Sequence, residues 1–311
     1  MKKIVLLGFI LLSFTMDSFS LPVFNFLNDV SNARAAGLGG TYLCVENDLQ
    51  AVFFNPASLA TVEKNDFSFT FFKQALDINS GNVSYLLPYQ WEDGKISVNA
   101  IYTNYGSFNY IDKYGVESGS FSANDLAFSA NYSNILDSNF FYGVGIKYIF
   151  SNIEKYSSSA IAFDFGLLYK LSDNRTNIGM SILNAGFQLS SYDGAVEGVP
   201  LDVRIGFNHH LKGLPLLFNA SFNHLSDKTN SFGDKFKSFS IGGEIYFGKY
   251  VQARIGFDNH IRSILTNNID KGLSGFSLGA GINANTFNFD YAMSIFSNSL
   301  TLHRFTLMLN I

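Results

Sequence analysis

The chain has 311 residues, of which 47% are hydrophobic, 16% aromatic and only 15% charged. Soluble globular proteins carry about 25% charged residues, so an ordinary soluble enzyme is not the first expectation. The net charge of −4 and the 21 Lys and Arg residues offer no basic face for a nucleic-acid backbone. The single cysteine excludes an intramolecular disulfide framework and a cysteine-rich zinc module.

Residues 1–20 have the pattern of a secretory signal peptide. Lys2 and Lys3 precede an apolar run over residues 4–14, and Ser18 and Ser20 place small side chains just before a cleavage point. The alternative is an N-terminal membrane anchor, but a spanning helix needs about 20 apolar residues and this run is shorter. We therefore expect cleavage before Leu21, export across the inner membrane and a location in the outer membrane of a Gram-negative cell.

Period-2 alternation of apolar and polar residues dominates the chain from about residue 66 to its end. No later segment has the roughly 18 consecutive apolar residues that a spanning helix requires. A side-chain period of two is typical of β-strands with one apolar and one polar face. Clear examples are residues 67–71, 142–150, 161–171, 201–207, 239–247 and 305–311.

These runs predict an all-β fold, a transmembrane antiparallel β-barrel of about 14 strands over residues 66–311. A soluble β-sandwich also alternates, but the apolar face here is rich in Phe and Tyr, as a lipid-facing aromatic girdle requires. The opposite face is full of Gly, Ser and Asn, which suits a hydrated lumen. Turn signals separate the strands at Asp93-Gly94, Ser172-Asp173-Asn174, Lys212-Gly213, Gly248-Lys249 and Asn267-Asn268, and longer loops are expected near 112–119, 190–200 and 226–235.

Charged residues on the inward faces nearly cancel. Because selective ion pores carry rings of one sign, a strongly selective porin is not expected, and about 14 strands enclose less space than the 16–18 strands of porins. The inward charges are Lys147, Lys170, Arg204, Arg254 and Arg304 against Asp164, Asp202, Glu244, Asp258 and Asp290.

Residues 21–65 lack the alternation and are expected to fold inside or across the barrel as a plug. A short helix capped by Asn47 or Asp48 is expected, with Asn55 and Pro56 ending it. Three glycines of the plug, Gly37, Gly39 and Gly40, are expected to let the backbone pack against the wall. They do not form a phosphate-binding loop, since no Gly-Lys-Ser/Thr ending follows.

The N-terminal residues carry a family resemblance. Residues 32–40, 46–49 and 55–60 resemble the N-terminal signature of the PorV/PorQ outer-membrane family, which is related to the FadL-type fatty-acid transporter barrels with their own Asn-Pro-Ala element. The later segments 119–125, 199–206, 213–216, 223–225 and 303–307 resemble the same family and favour PorQ over PorV.

The resemblance implies a 14-stranded barrel with a role in type IX secretion, in which family members handle cargo or help retain the attachment machinery. The partners it implies are outer-membrane lipid and secretion-system proteins or cargo, with no nucleic acid. One departure is Ile311, which stands where many outer-membrane barrels end in an aromatic residue.

Candidate chemistry is sparse, and no enzyme, cofactor or metal site is expected. His209 and His210 point to opposite faces of a strand and cannot share a metal ion. A Ser–His hydrolase using His210 or His224 is the enzyme alternative, but the chain has no G-x-S-x-G motif. Cys44 is expected to pack as a small apolar residue.

Two functions remain open from the sequence. One is a type IX-like secretion and cell-surface attachment component that presents its rim to partner proteins. The other is a FadL-type passive transporter of a hydrophobic small molecule such as a long-chain fatty acid. Both need the same wall and plug.

Overall fold

A computed structural model describes residues 23–63, 67–74, 78–112, 114–194, 196–229, 231–265 and 271–310. Within them, fourteen antiparallel strands form one closed barrel, which confirms the predicted fold class. The strands are β1 Phe67–Lys73, β2 Asn79–Trp91, β3 Gly94–Ile111, β4 Glu117–Asp137, β5 Phe140–Ile153, β6 Tyr156–Lys170, β7 Thr176–Ser190, β8 Asp202–His210, β9 Leu216–Phe222, β10 Phe239–Phe247, β11 Val251–Asp258, β12 Phe276–Asn283, β13 Phe287–Ser297 and β14 Leu300–Leu309.

Each strand pairs with its neighbours in the sequence, and β1 closes the sheet against β14. Phe67 lies opposite Leu309 and Phe71 opposite Phe305 across that seam. Closure leaves no unpaired sheet edge, which lipid would not tolerate because it cannot hydrogen-bond the backbone.

The two faces of the wall differ as the alternation predicts. In β6, Phe163, Phe165 and Leu167 are exposed on the outer face, while Asp164 and Ala162 are buried on the lumen side. The same pattern continues round the barrel, so the outer surface is an apolar belt that requires a lipid surrounding. No helix in the described part of the chain is long and apolar enough to cross a membrane.

The two ends of the barrel also differ. The end that holds the start of β1 and the end of β14, called here the turn end, has short connections such as 92–93 and 138–139. The opposite end, the loop end, carries longer connections at 191–201, 223–238 and 259–275, and the last contains helix α2 Asn259–Ile264. The sequence did not predict the long loop over 259–275. The turn expected at Asn267-Asn268 lies outside the described residues. The signal peptide expected over residues 1–20 also lies outside them.

Residues 23–63, called here the plug, form short helices rather than strands. Three are 3₁₀ helices, Asn25–Asn28, Leu49–Phe53 and Pro56–Thr61, and one is the α-helix α1 Ala33–Gly37. Side-chain caps begin three of the four: Asn32 accepts from Ala35 N at 2.7 Å, Asp48 from Gln50 N at 2.9 Å and Asn55 from Ala57 N at 3.1 Å. The predicted helix after Asp48 is therefore a 3₁₀ turn.

Candidate functional site: the plugged lumen

The plug lies inside the barrel and touches the wall on nearly every side. Helix α1 packs against β11 to β14, the segment Leu49–Phe53 against β1 and β2, and Pro56–Thr61 against β3 to β6. Between plug and wall, one cavity lined by Val30, Gly40 and Asp258 has a volume of about 30 Å³, which is roughly the space of one water molecule. At this level the plug occupies the lumen.

The plug glycines lie where the backbone meets the wall. A Cβ on Gly39 would lie 2.6 Å from the Phe257 nitrogen, and a Cβ on Gly37 would lie 3.1 Å from the Gly279 Cα. Gly39 and Gly40 also have φ angles of 69° and 81°, a region that glycine adopts without strain. Gly40 meets the wall less closely, since its nearest neighbour is Val30 of the plug itself.

Glycines of the wall form matching recesses, a feature that the sequence analysis missed. Each of these glycines faces the lumen, and a Cβ there would overlap plug atoms. The alternation revealed their inward direction, but the sequence could not show that a second backbone fills the space. The recesses are Gly143 at Pro56, Gly166 at Asn55, Gly179 at Cys44, Gly242 at Leu38 and Gly256 at Gly39.

Asn55 joins two parts of the plug to β6. Its Nδ2 donates to the Leu43 and Leu167 carbonyls, each at 3.0 Å, and its Oδ1 accepts from Ala57 N at 3.1 Å. Pro56 occupies the first helical position, where its missing N–H costs no hydrogen bond. The helix after Asp48 ends at Phe53, just before Asn55 and Pro56 as predicted. Asn55 also begins a second helix, because its side chain caps the segment Pro56–Thr61.

A buried ionic network fixes α1 to the wall. Arg34 donates Nε and Nη2 to the two carboxylate oxygens of Glu244, both at 2.8 Å, and Nη1 to Asp48 at 3.1 Å. Arg254 then bridges Glu244 at 2.6 Å and Asp290 at 2.5 Å. Two plug residues and three wall residues thus satisfy one another, which buried charges require.

The remaining inward charges have specific partners. Lys147 pairs with Asp164 at 3.1 Å, Arg204 with Asp202 at 2.6 Å, and Lys170 with Glu46 of the plug at 2.5 Å. Inward amides also hold the plug: Asn177 and Asn208 both donate to the Cys44 carbonyl, at 3.2 and 2.7 Å. Several side chains that the sequence suggested for a hydrated lumen therefore bind the plug or one another.

Nearer the loop end, the polar lumen contains an apolar cluster. Phe24 and Phe26, at the start of the plug, are buried against inward side chains of the wall. Ile101 packs against this cluster from β3. The buried wall and loop partners are Ala127, Ile149, Ala160, Ala162 and Val199.

The candidate chemical groups are dispersed. His209 bonds Thr176 at the turn end, whereas His224 stacks on His260 at the loop end, their ring centroids 4.3 Å apart. Across the described ranges, no three His, Cys, Asp or Glu side chains are grouped as metal ligands would be. Cys44 is buried beside Gly179, and burial raises the pKa of its thiol well above the usual range.

Solved structures share this architecture. A deletion mutant of TodX, a monoaromatic hydrocarbon channel, matches with a TM-score of 0.61 and 13% identity, covering 90% of this chain and 99% of its own. A FadL homologue from Pseudomonas aeruginosa matches at 0.57 and 11%, covering 90% and 98%. The toluene transporter TbuX of Ralstonia pickettii matches at 0.56 and 13%, covering 89% and 96%.

These likenesses place the chain in a structural class, the plugged transmembrane β-barrels with the fold of FadL-type transporters. At such low identity the likeness establishes the fold alone. No protein-family model matches the chain, and no curated protein matches it significantly. The resemblance to PorV/PorQ proteins stays a prediction.

Proposed function

We propose that the protein is an outer-membrane channel that passes a small hydrophobic molecule by passive diffusion. The observation that carries the proposal is the fold, which the chain shares over most of its length with a hydrocarbon channel and a toluene transporter. Inside the barrel, the plug buries an apolar cluster around Phe24 and Phe26 against the lumen side of the wall. Opening of this cluster would expose apolar surface that only a hydrophobic molecule can use.

The arrangement of the barrel supports the outer-membrane location. Short turns at one end and longer loops at the other are typical of barrels that place turns in the periplasm and loops outside the cell. The outer face presents aromatic residues near both ends, such as Trp91 and Tyr169 at the turn end and Tyr102 and Phe150 towards the loop end.

The pairing of inward charges makes polar solutes poor candidates. A hydrated ion needs free charged or polar groups along its path, whereas Lys147, Arg204 and Arg254 are each paired with an inward carboxylate. The secretion role that the PorV/PorQ resemblance implies uses the rim rather than the lumen.

A deletion strain tests the proposal. Entry of the hydrophobic probe 1-N-phenylnaphthylamine and uptake of a long-chain fatty acid are compared between deletion and complemented cells. We expect both rates to fall on deletion, with surface-attached proteins unchanged. Normal uptake together with loss of surface-attached cargo would reject the channel and favour secretion.

A further inference from the structure

One buried carboxylate of the lumen has no cationic partner. Asp125, which the sequence analysis did not count among the inward charges, lies on the inward face of β4 and is 6% exposed. Among the described residues, no Lys or Arg forms an ion pair with it. The other buried carboxylates of the strands each lie within 3.1 Å of a Lys or Arg nitrogen. They are Asp164, Asp202, Glu244 and Asp290.

An unpaired buried charge such as that of Asp125 is costly, because the loss of hydration is not offset by an ion pair. Two hydrogen bonds reduce this cost. The Oδ2 of Asp125 accepts from the Tyr105 hydroxyl at 2.6 Å, and its Oδ1 accepts from the Ser151 hydroxyl. Neither hydroxyl carries a charge, so the carboxylate is not neutralised. Asp125 is therefore a position at which a cation from outside gains an ion pair that the protein itself does not form.

The hydrogen bonds around Asp125 all run in one direction. An ionised carboxylate only accepts, so the Tyr105 and Ser151 hydroxyls both donate to it. Tyr192, in the loop between β7 and β8, donates in turn to the Ser151 oxygen. All three hydroxyl protons are used within this network, which leaves the phenolic oxygens of Tyr105 and Tyr192 as acceptors. The network therefore fits a group that carries positive charge and donates hydrogen bonds.

The surroundings of the two phenols are negatively charged and open towards the loop end. Tyr105 and Tyr192 are each only partly buried, and they lie close enough to interact with each other. Asp29 of the plug interacts electrostatically with Tyr105, and Glu197 interacts with Tyr192. Arg304 offsets the charge of Asp29. Negative charge still exceeds positive charge around the two phenols, which attracts a cation.

We propose that Asp125, Tyr105 and Tyr192 bind the ammonium group of a small organic amine. Asp125 supplies the ion pair, and the two phenolic oxygens each accept one hydrogen of the ammonium group. The remainder of the amine lies towards the loop end, where the two phenols are exposed. This site goes beyond the proposed channel function, which needs no charged group, and does not depend on it.

The same contacts favour an ammonium group over a metal ion. Calcium takes six to eight oxygen ligands, usually from several carboxylates, whereas this network contains one carboxylate, and both of its oxygens already accept hydroxyl protons. Across the described ranges, no three His, Cys, Asp or Glu side chains are grouped as metal ligands would be. An ammonium group donates to the phenolic oxygens and leaves the existing hydrogen bonds in place.

Calorimetric titration of the detergent-solubilised full chain tests the site with two matched probes. At pH 7 the probe 2-(4-iodophenyl)ethylamine is a cation, whereas 2-(4-iodophenyl)ethanol has the same ring and is neutral. The amine should bind about tenfold more tightly, as one charge-assisted hydrogen bond allows. D125N keeps the size of the side chain and removes its charge, so it should lower the affinity for the amine to that for the alcohol. Y105F removes one acceptor oxygen and should weaken the amine severalfold.

Crystals locate the bound amine. Crystals of the full chain soaked in the iodinated amine should show an iodine peak beside Tyr105 and Tyr192, and crystals of D125N should not. The matched control is D137N, which removes an exposed carboxylate at the other end of the same strand and should bind both probes like the unmodified chain.

Three outcomes would overturn the site. They are equal affinities of the unmodified chain for the amine and the alcohol, identical binding by D125N and D137N, and displacement of the amine by an equal concentration of Ca²⁺. Entry of the uncharged 1-N-phenylnaphthylamine should be the same with D125N as with the unmodified barrel. Failure of the channel proposal is therefore seen separately, as entry of this probe that does not depend on the barrel.

Discussion

Arg34 of the plug and Glu244 of β10 form a two-pronged ion pair, with both N–O distances at 2.8 Å. Glu244 is fully buried, and its Oε2 also accepts from Arg254 at 2.6 Å. One carboxylate thus joins the plug to the charged residues of the wall. Removal of any one member of this network would leave another buried charge without its partner, so each contact holds the plug firmly.

Arg34→Ala should destabilise the barrel by about 3–5 kcal/mol, since removing one member leaves buried charge without its partner. The free energy of unfolding is measured by a urea titration of protein refolded into lipid vesicles. The double change R34A/E244A should cost less than the sum of the single changes. Lys237→Ala, which removes an exposed pair with Asp234, is the control and should have little effect. Equal losses for Arg34→Ala and Lys237→Ala would show that the plug does not depend on this pair.

Substitutions at two neighbouring glycines of the wall distinguish the effect of contact with the plug from the effect of adding a side chain to a strand. A Cβ on Gly256 would overlap the backbone of Leu38 and Gly39, whereas a Cβ on Gly243 meets nothing closer than 3.4 Å, the Leu216 Cδ1. Gly256→Ala should displace the plug and increase single-channel conductance in planar bilayers. Gly243→Ala should conduct like the unmodified chain. If both variants behave alike, the recess at Gly256 does not seat the plug.

The strands of the wall were predictable because alternate side chains of each strand face lipid and must be apolar. Phe163 must face lipid and Asp164 must not, so period-2 alternation is visible without any tertiary information. The inward direction of Glu244 and Arg254 followed from the same alternation. Arg34, which pairs with Glu244, lies 210 residues earlier in the chain, and no local pattern indicates that contact.

The plug was harder to predict because its structure depends on contacts between residues that are distant in the sequence. Its helices are too short to show a helical period, and their positions depend on recesses contributed by many strands. The role of Asn55 illustrates the limit. The Asn-Pro pair indicated a helix boundary, but only the structure shows that the cap begins a helix and that Nδ2 reaches the Leu167 carbonyl.

Phe163→Arg tests the lipid-facing side of the wall. A charged side chain on the lipid face should cost about 2–4 kcal/mol near the bilayer centre, measured as a lower urea midpoint for the folded barrel. Phe163→Leu is the matched control and should change the midpoint little. The neighbouring Asp164 is not a neutral control, because it pairs with Lys147 and accepts from Asn184 N at 2.8 Å. A Phe163→Arg protein as stable as Phe163→Leu would place this face outside the lipid.

Cys44 reports whether the plug stays closed. Its side chain is buried, and burial raises the pKa of the thiol well above its usual range, so the reactive thiolate is scarce at pH 8. Maleimide labelling of the folded barrel at pH 8 should be very slow, and labelling in urea should be complete. C44S/T229C moves the thiol to an exposed loop position and should label at once. Rapid labelling of Cys44 in the folded protein would mean that the plug opens frequently.

Deleting residues 32–60 tests whether the plug is the seal. The deletion removes Arg34 and Asp48 but leaves Glu244 with Arg254, so the wall keeps a neutralising partner. Inward Ser and Asn side chains that face the plug can bond water instead, and the strand ladders do not pass through the deleted segment.

We therefore expect normal membrane insertion, heat-modifiable migration on gels, and single-channel conductance well above that of the full chain. Entry of 1-N-phenylnaphthylamine should lose its preference over polar dyes, because a water-filled lumen admits both. A truncated barrel that inserts normally yet conducts no more than the full chain would show that something other than residues 32–60 closes the lumen.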